Sequence, residues 1–177
     1  MTYIAKPKFH HPGLPKNDLG YTHRGLAYWT DGKGERLISG THDAYILSLD
    51  AKTGLPDPAF GRNGVIDLYQ DFDQPPPQDG VISSTSPAVV VRNVVVIGAA
   101  MVGGSAPRSK ENTKGYIRGF DVRTGKRLWT FHTIPQPGEF GNDTWLNDSW
   151  SYTGNTSVWS PFSADEELGY VYLPVES

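Results

Sequence analysis

Residues 119–129 read GFDVRTGKRLW and residues 48–54 read SLDAKTG. Both carry a small residue, an aromatic or aliphatic one, Asp, a free position, Lys or Arg, Thr and Gly, and each follows an apolar run. This is turn chemistry: the carboxylate accepts backbone N–H bonds and the glycine supplies positive φ. The two copies, headed by Asp50 and Asp121, stand further apart than the roughly 40–50 residues of one propeller blade. That spacing predicts one repeat unit enlarged by insertions. The Pro-rich 74–80 and Gly/Ser-rich 103–113 stretches are where the extra length falls.

Outward from these turns, helical periodicity is nearly absent and short alternating or β-branched runs dominate. Strands are predicted at Gly25–Thr30, Arg36–Gly40, Ala44–Leu49, Val65–Leu68, Pro87–Val91, Val94–Gly98, Tyr116–Val122 and Arg127–His132. Residues 133–156 read mostly as loop, and Val158–Ser163 with Gly169–Pro174 as a closing hairpin. The fold class is therefore all-β.

Composition agrees. The chain has 177 residues, 20 Gly, 14 Pro and 12% aromatic residues, a mix of many short strands and tight turns. Net charge is −3 without a basic run, so nothing points to nucleic acid. There is no Cys, which excludes disulfides and thiolate metal sites. No apolar run approaches the roughly 18 residues that span a bilayer. The N-terminal MTYIAKPKFHHPG lacks the apolar core of a signal peptide. GYVYLPVES ends as a strand ends, which leads us to expect a partial chain.

GFDVRTGKRLW resembles the tryptophan-docking motif of quinoprotein alcohol and sugar dehydrogenases, Ala-x-Asp-x-x-Thr-Gly-x-x-x-Trp. Asp121, Thr124, Gly125 and Trp129 fill its positions, with Gly119 for the usual Ala. In the first copy Asp50, Thr53 and Gly54 fit, but Pro58 stands at the Trp position, with Phe60 as its packing substitute. HRGLAYW (23–29), AYILSLDAKTGLPDPAFGRNGVIDL (44–68), STSPAVVVRNVVVIGAA (84–100) and GYIRGFDVRTGKRLWTFHTIPQPGEFGNDTW (115–145) are similar to the membrane-bound glucose/quinate/shikimate branch. Residues 1–20 show no such likeness. The resemblance implies an eight-bladed β-propeller, of which this chain holds about two and a half blades. Residues 1–177 then form one incomplete domain: an N-terminal arm (1–23), an enlarged blade (24–83), a second blade (84–132), a loop (133–156) and the start of a third blade (157–177).

The resemblance also implies pyrroloquinoline quinone (PQQ) with Ca²⁺, a sugar or alcohol substrate, and a quinone or cytochrome acceptor. It implies a periplasmic or periplasm-facing location, with membrane association through parts outside this chain. PQQ is a flat tricarboxylate, so its site needs an aromatic floor, cationic or N–H partners and, for the metal, oxygen ligands. Arg24 matches the family arginine that pairs with a quinone carboxylate; read alone it is a surface residue at a strand start. Trp159 matches the floor tryptophan and Ser157 the neighbouring hydroxyl; read alone, Trp159 is a core residue on an inner strand. Ser84 falls at a second hydroxyl position, although STSP is also an ordinary turn into a strand. Trp145 and Trp150 read as packing residues of the loop.

For calcium, the Glu expected beyond the strand-ending Gly98 is replaced by Gly103, leaving Glu176, which is equally a solvated charge. The histidines show no metal spacing. The family's catalytic base lies in a later blade, so no catalytic residue is assigned, and neither Asp143 nor Asp148 takes that role. Two rival readings stand beside the enzyme: a non-catalytic propeller scaffold, which needs neither Arg24 nor the Ser157/Trp159 pair, and a sugar-binding module using exposed tryptophan faces.

Overall fold

The computed structural model describes residues 25–41, 43–72, 82–84, 86–101, 113–154 and 156–175. Two four-stranded antiparallel sheets follow one another along the chain. The first contains β1 (Ala27–Thr30), β2 (Glu35–Gly40), β3 (Tyr45–Asp50) and β4 (Val65–Asp67), paired in chain order. A two-residue strand, β5 (Ile82–Ser83), leads into the second. There β6 (Val89–Val91), β7 (Val94–Gly98), β9 (Ile117–Asp121) and β10 (Arg127–Phe131) pair in chain order, while β8 (Ala100–Met101) leaves to pair with β5. A hairpin, β11 (Ser163–Asp165) and β12 (Tyr170–Tyr172), ends the described chain. Two meander sheets and the first hairpin of a third make an all-β partial propeller.

The valine-rich strands explain how the units stack. On β7, Val95 and Ile97 face a core shared with the first sheet, where Trp29, Ile38, Ile46 and Phe60 meet them. Val96, between them, faces a second cluster with Val158, Phe162, Val171 and Leu173. Period-2 alternation therefore buries both faces of the middle unit, and the strand reads as a continuous apolar run.

One expectation needs correction, and two features lay outside the sequence reading. Val158–Ser163 is not a strand; pairing starts only at Ser163, so Trp159 sits in extended, unpaired chain. Pro161 has no N–H to give to a ladder, and the Val158 backbone is taken up by packing on Gly98. Within the 133–156 stretch, 3₁₀ turns form at Asn142–Thr144 and Leu146–Ser151, broken where Asn147 and Asp148 take left-handed φ of 56° and 52°. The short β5–β8 pair was not foreseen, because two-residue strands carry no periodicity.

Candidate functional site

Each sheet has two ends, and they differ in chemistry. At one end lie the two Asp-Thr-Gly turns. Asp50 Oδ1 accepts the N–H groups of Lys52 (3.1 Å) and Thr53 (2.8 Å) and the Thr53 hydroxyl (2.8 Å). Asp121 Oδ1 accepts the same three donors from Arg123 (3.1 Å) and Thr124 (2.8 and 2.8 Å). Gly54 and Gly125 close the turns at φ of 70° each. The Thr53 N–H, then its hydroxyl, hold the Asp50 carboxyl below its ordinary pKa. For Asp121 burial pushes the other way, and the Thr124 hydroxyl and the N–H groups of Thr124 and Arg123 outweigh it, so its pKa is also lowered.

This end is structural. The Gly61 N–H donates to Thr124 O (2.9 Å), so the 55–64 connector docks on the second turn. Phe60 beside it is fully buried, while Pro58 is exposed. Trp29 adds a latch that the sequence did not disclose. Its Nε1 donates to Arg92 O (3.0 Å), and the guanidinium groups of Arg123 (4.7 Å) and Arg36 (5.5 Å) both stand over its ring. Arg36 in turn pairs with Asp57 (2.6 Å) and donates to Val122 O (2.7 Å).

At the opposite end the chain enters each new unit, and the sequence-predicted site residues belong to these entrances. Ser84 precedes β6; its N–H donates to Thr41 O (3.3 Å) in the β2–β3 turn of the first sheet. Ser157 and Trp159 precede β11, and the Val158 carbonyl between them lies against Gly98 at the end of β7. Gly25, before β1, meets the Pro87 ring. The structure thus brings Ser84, Ser157 and Trp159 to one end of the stack. Arg24 and Glu176 lie outside the described residues, as does Gly103.

The three residues differ in exposure. Ser84 and Ser157 are buried, and the Ser84 hydroxyl donates a long bond to Ser86 O (3.4 Å). Trp159 is 51% exposed. Two neighbouring hydroxyl oxygens, Ser86 Oγ and Thr156 Oγ1, are buried and have no hydrogen-bond partner among the described residues. A buried hydroxyl left unmatched is costly, and Thr156 is also held at φ 30°, an unfavourable value for a β-branched residue. Thr156 and the exposed Trp159 share one entrance segment and Ser86 lies on the entrance before it; hydroxyls and an indole are the groups that a flat, oxygen-rich ligand needs. Among the described residues no group of three or more His, Cys, Asp or Glu is placed to hold a metal. Trp145 and Trp150 are half-buried in the loop before the third unit.

Two buried cations escaped sequence reading. Lys114 Nζ donates to Ser151 O (3.1 Å), and burial lowers its pKa. Arg118 is fully buried, donates to Leu68 O (2.6 Å) and Gln70 O (2.9 Å), and stacks on Phe72 (4.5 Å). Burial brings its pKa down to about 10, so it stays charged at neutral pH. A charged residue inside the apolar strand YIRGF was the one available signal. Arg118 ties the second sheet to the end of the first, and Lys114 ties it to the segment that leads to the third unit.

Comparison with known proteins gives the family. The family model described as the glucose/ethanol/alcohol dehydrogenase beta-propeller domain of PQQ proteins matches residues 6–177. The glycerol dehydrogenase large subunit of Gluconobacter oxydans is 30% identical over 85% of this chain and 20% of its own length. The quinoprotein glucose dehydrogenase of Escherichia coli is 28% identical over 97% of this chain and 22% of its own length. A quinohemoprotein alcohol dehydrogenase from Pseudomonas putida superimposes with a TM-score of 0.61 at 29% identity, covering 87% of this chain and 21% of that one. The chain therefore spans about a fifth of the length of the curated relatives it matches. With both sheets, the hairpin and both entrances inside the matched range, the chain belongs to the β-propeller family of PQQ glucose/ethanol/alcohol dehydrogenases.

Proposed function

We propose that this chain forms part of the cofactor-holding end of a PQQ- and calcium-dependent dehydrogenase. That enzyme oxidises a sugar or alcohol hydroxyl and passes the electrons to a quinone or cytochrome. The observation that carries the reading is the entrance segment in which Thr156, whose buried hydroxyl has no partner among the described residues, stands three positions before the exposed indole of Trp159. PQQ supplies two-electron redox chemistry when bound. In this reading Trp159 stacks on its ring plane. The hydroxyls of Ser84 and Ser157 serve its oxygens, and Arg24 grips a carboxylate with its guanidinium fork. Glu176 is the one proposed calcium ligand of this chain, a hard oxygen donor suited to that ion. The described residues supply no metal cluster of their own.

Substrate class follows from the relatives, whose names include glycerol, glucose and alcohol dehydrogenases. A periplasmic or periplasm-facing location, with membrane attachment through other parts of the protein, is part of the same proposal. Among the described residues no helix is long and apolar enough to cross a membrane. The test is a titration with PQQ in the presence of Ca²⁺, followed by tryptophan fluorescence. Saturable quenching is expected. Its absence, in this chain and in the protein continued through further blades, favours a propeller that serves as a scaffold.

A further inference from the structure

Both second strands end on a glycine, Ile38-Ser39-Gly40 in the first sheet and Val96-Ile97-Gly98 in the second. Neither glycine has positive φ, so neither is required by its backbone conformation. Each is required by what lies on it. A Cβ on Gly98 would stand 2.9 Å from Val158 O, with Ile117 Cδ1 at 3.3 Å and Phe162 Cζ at 3.4 Å. A Cβ on Gly40 would stand 2.7 Å from Ser84 Oγ and 2.7 Å from Ile97 Cδ1. Two equivalent positions, one unit apart, thus each seat the entrance of the following unit.

We infer that Gly40 and Gly98 are positioning residues for the ligand-facing entrances: Gly40 sets Ser84, and Gly98 sets the segment from Ser157 to Trp159. At Gly98 the crowded atom is a backbone carbonyl, which cannot swing aside as a long side chain does. Displacing it moves the residues on both sides, and these are Ser157 and Trp159. The segment has little slack. Thr156 is already in a strained conformation, and the hairpin beyond is pinned at its turn. There Glu166 accepts the Arg92 N–H through both carboxylate oxygens (2.8 Å each), and the Arg92 guanidinium donates to Glu166 O (3.2 Å) and Glu167 O (2.6 Å). A methyl group at Gly98 therefore shifts the indole instead of being absorbed by the loop.

The inference rests on the PQQ reading for its ligand, and its test separates the two. The chain is labelled with 5-fluorotryptophan, and the Trp159 resonance is assigned by its loss in Trp159→Phe. Gly98→Ala is expected to move the Trp159 resonance and leave that of Trp29 in place. It is also expected to weaken PQQ binding about tenfold, because ring stacking is sensitive to sub-ångström placement. Gly34→Ala, where a Cβ meets nothing within 4 Å, is the control and is expected to change neither. The double variant Gly98→Ala/Ile117→Val removes the Ile117 Cδ1 methyl and keeps the test readable should the single variant not fold. If the wild-type chain binds no PQQ, the cofactor reading fails while the resonance still judges the glycine. An unmoved Trp159 resonance in Gly98→Ala, or wild-type PQQ affinity with the resonance moved, overturns the inference.

Discussion

The turns at Asp50 and Asp121 are built from the same three hydrogen bonds at the same distances, yet they do different work. A Cβ on Gly54 would meet nothing within 4 Å, whereas one on Gly125 would lie 2.7 Å from Gly61 N. The second turn is a docking platform; the first is the same platform with nothing docked on its glycine among the described residues. The aromatic residues mirror this. Phe60, at the junction between the two sheets, is fully buried, while Trp129, flat against its own Gly119, is 39% exposed. Identical local chemistry acquires a packing role only when a neighbouring unit arrives, as expected of a repeat architecture.

The largest expected effect breaks this contrast at the aromatics. Phe60→Ala should destabilise the chain by about 3–5 kcal/mol, as for a fully buried Phe. Trp129→Ala should cost about 1–2 kcal/mol, because part of its ring already faces water. Urea unfolding of both variants checks this, and equal losses would show that the two junctions are alike. Next come the glycines. Gly54→Ala carries only the left-handed backbone cost of about 1 kcal/mol. Gly125→Ala adds steric conflict with the Gly61 backbone, for a total of about 3 kcal/mol. Thermal melts of the pair isolate the docking contact, and matching melting shifts would deny it.

The smallest effect is acid sensitivity. Both aspartates have folded pKa values below the ordinary one. Their contribution is therefore present above the unfolded carboxylate pKa and is lost as pH falls through the depressed folded values. Asp50→Asn and Asp121→Asn should each flatten the acid limb of the stability curve, and by similar amounts, because the donors are the same. Unfolding followed from neutral to acid pH measures this; an acid limb altered by only one substitution would separate the turns chemically as well as by environment.

Much of this was legible in the sequence because it repeats or alternates. Val94–Gly98 was bounded correctly, since a β-branched run ending on Gly has one reading. The two turns were legible because Asp, Thr and Gly at fixed offsets admit one hydrogen-bond pattern. Pairing of Ile82–Ser83 with Ala100–Met101 was not, because two residues carry no period. The failure at Val158–Ser163 has a different cause. The run looks strand-like, but the partner that claims its backbone is Gly98, far away in sequence. The Trp29 latch was hidden for the same reason: its partners Arg92 and Arg123 come from the next unit. Of the candidate site, Ser84, Ser157 and Trp159 were singled out through family likeness; the burial of the two serines, and the hydroxyls of Ser86 and Thr156 that lack a partner among the described residues, are properties of packing that no local stretch encodes.

The central claim is that the entrance end, and Trp159 in particular, faces PQQ. Its most direct test compares the fluorescence quenching of the wild-type chain by PQQ and Ca²⁺ with that of Trp159→Phe and Trp129→Phe. The account predicts saturable quenching that survives Trp129→Phe, whose indole lies against Gly119 within its own sheet, and is largely lost in Trp159→Phe. Quenching that persists undiminished in Trp159→Phe would contradict it.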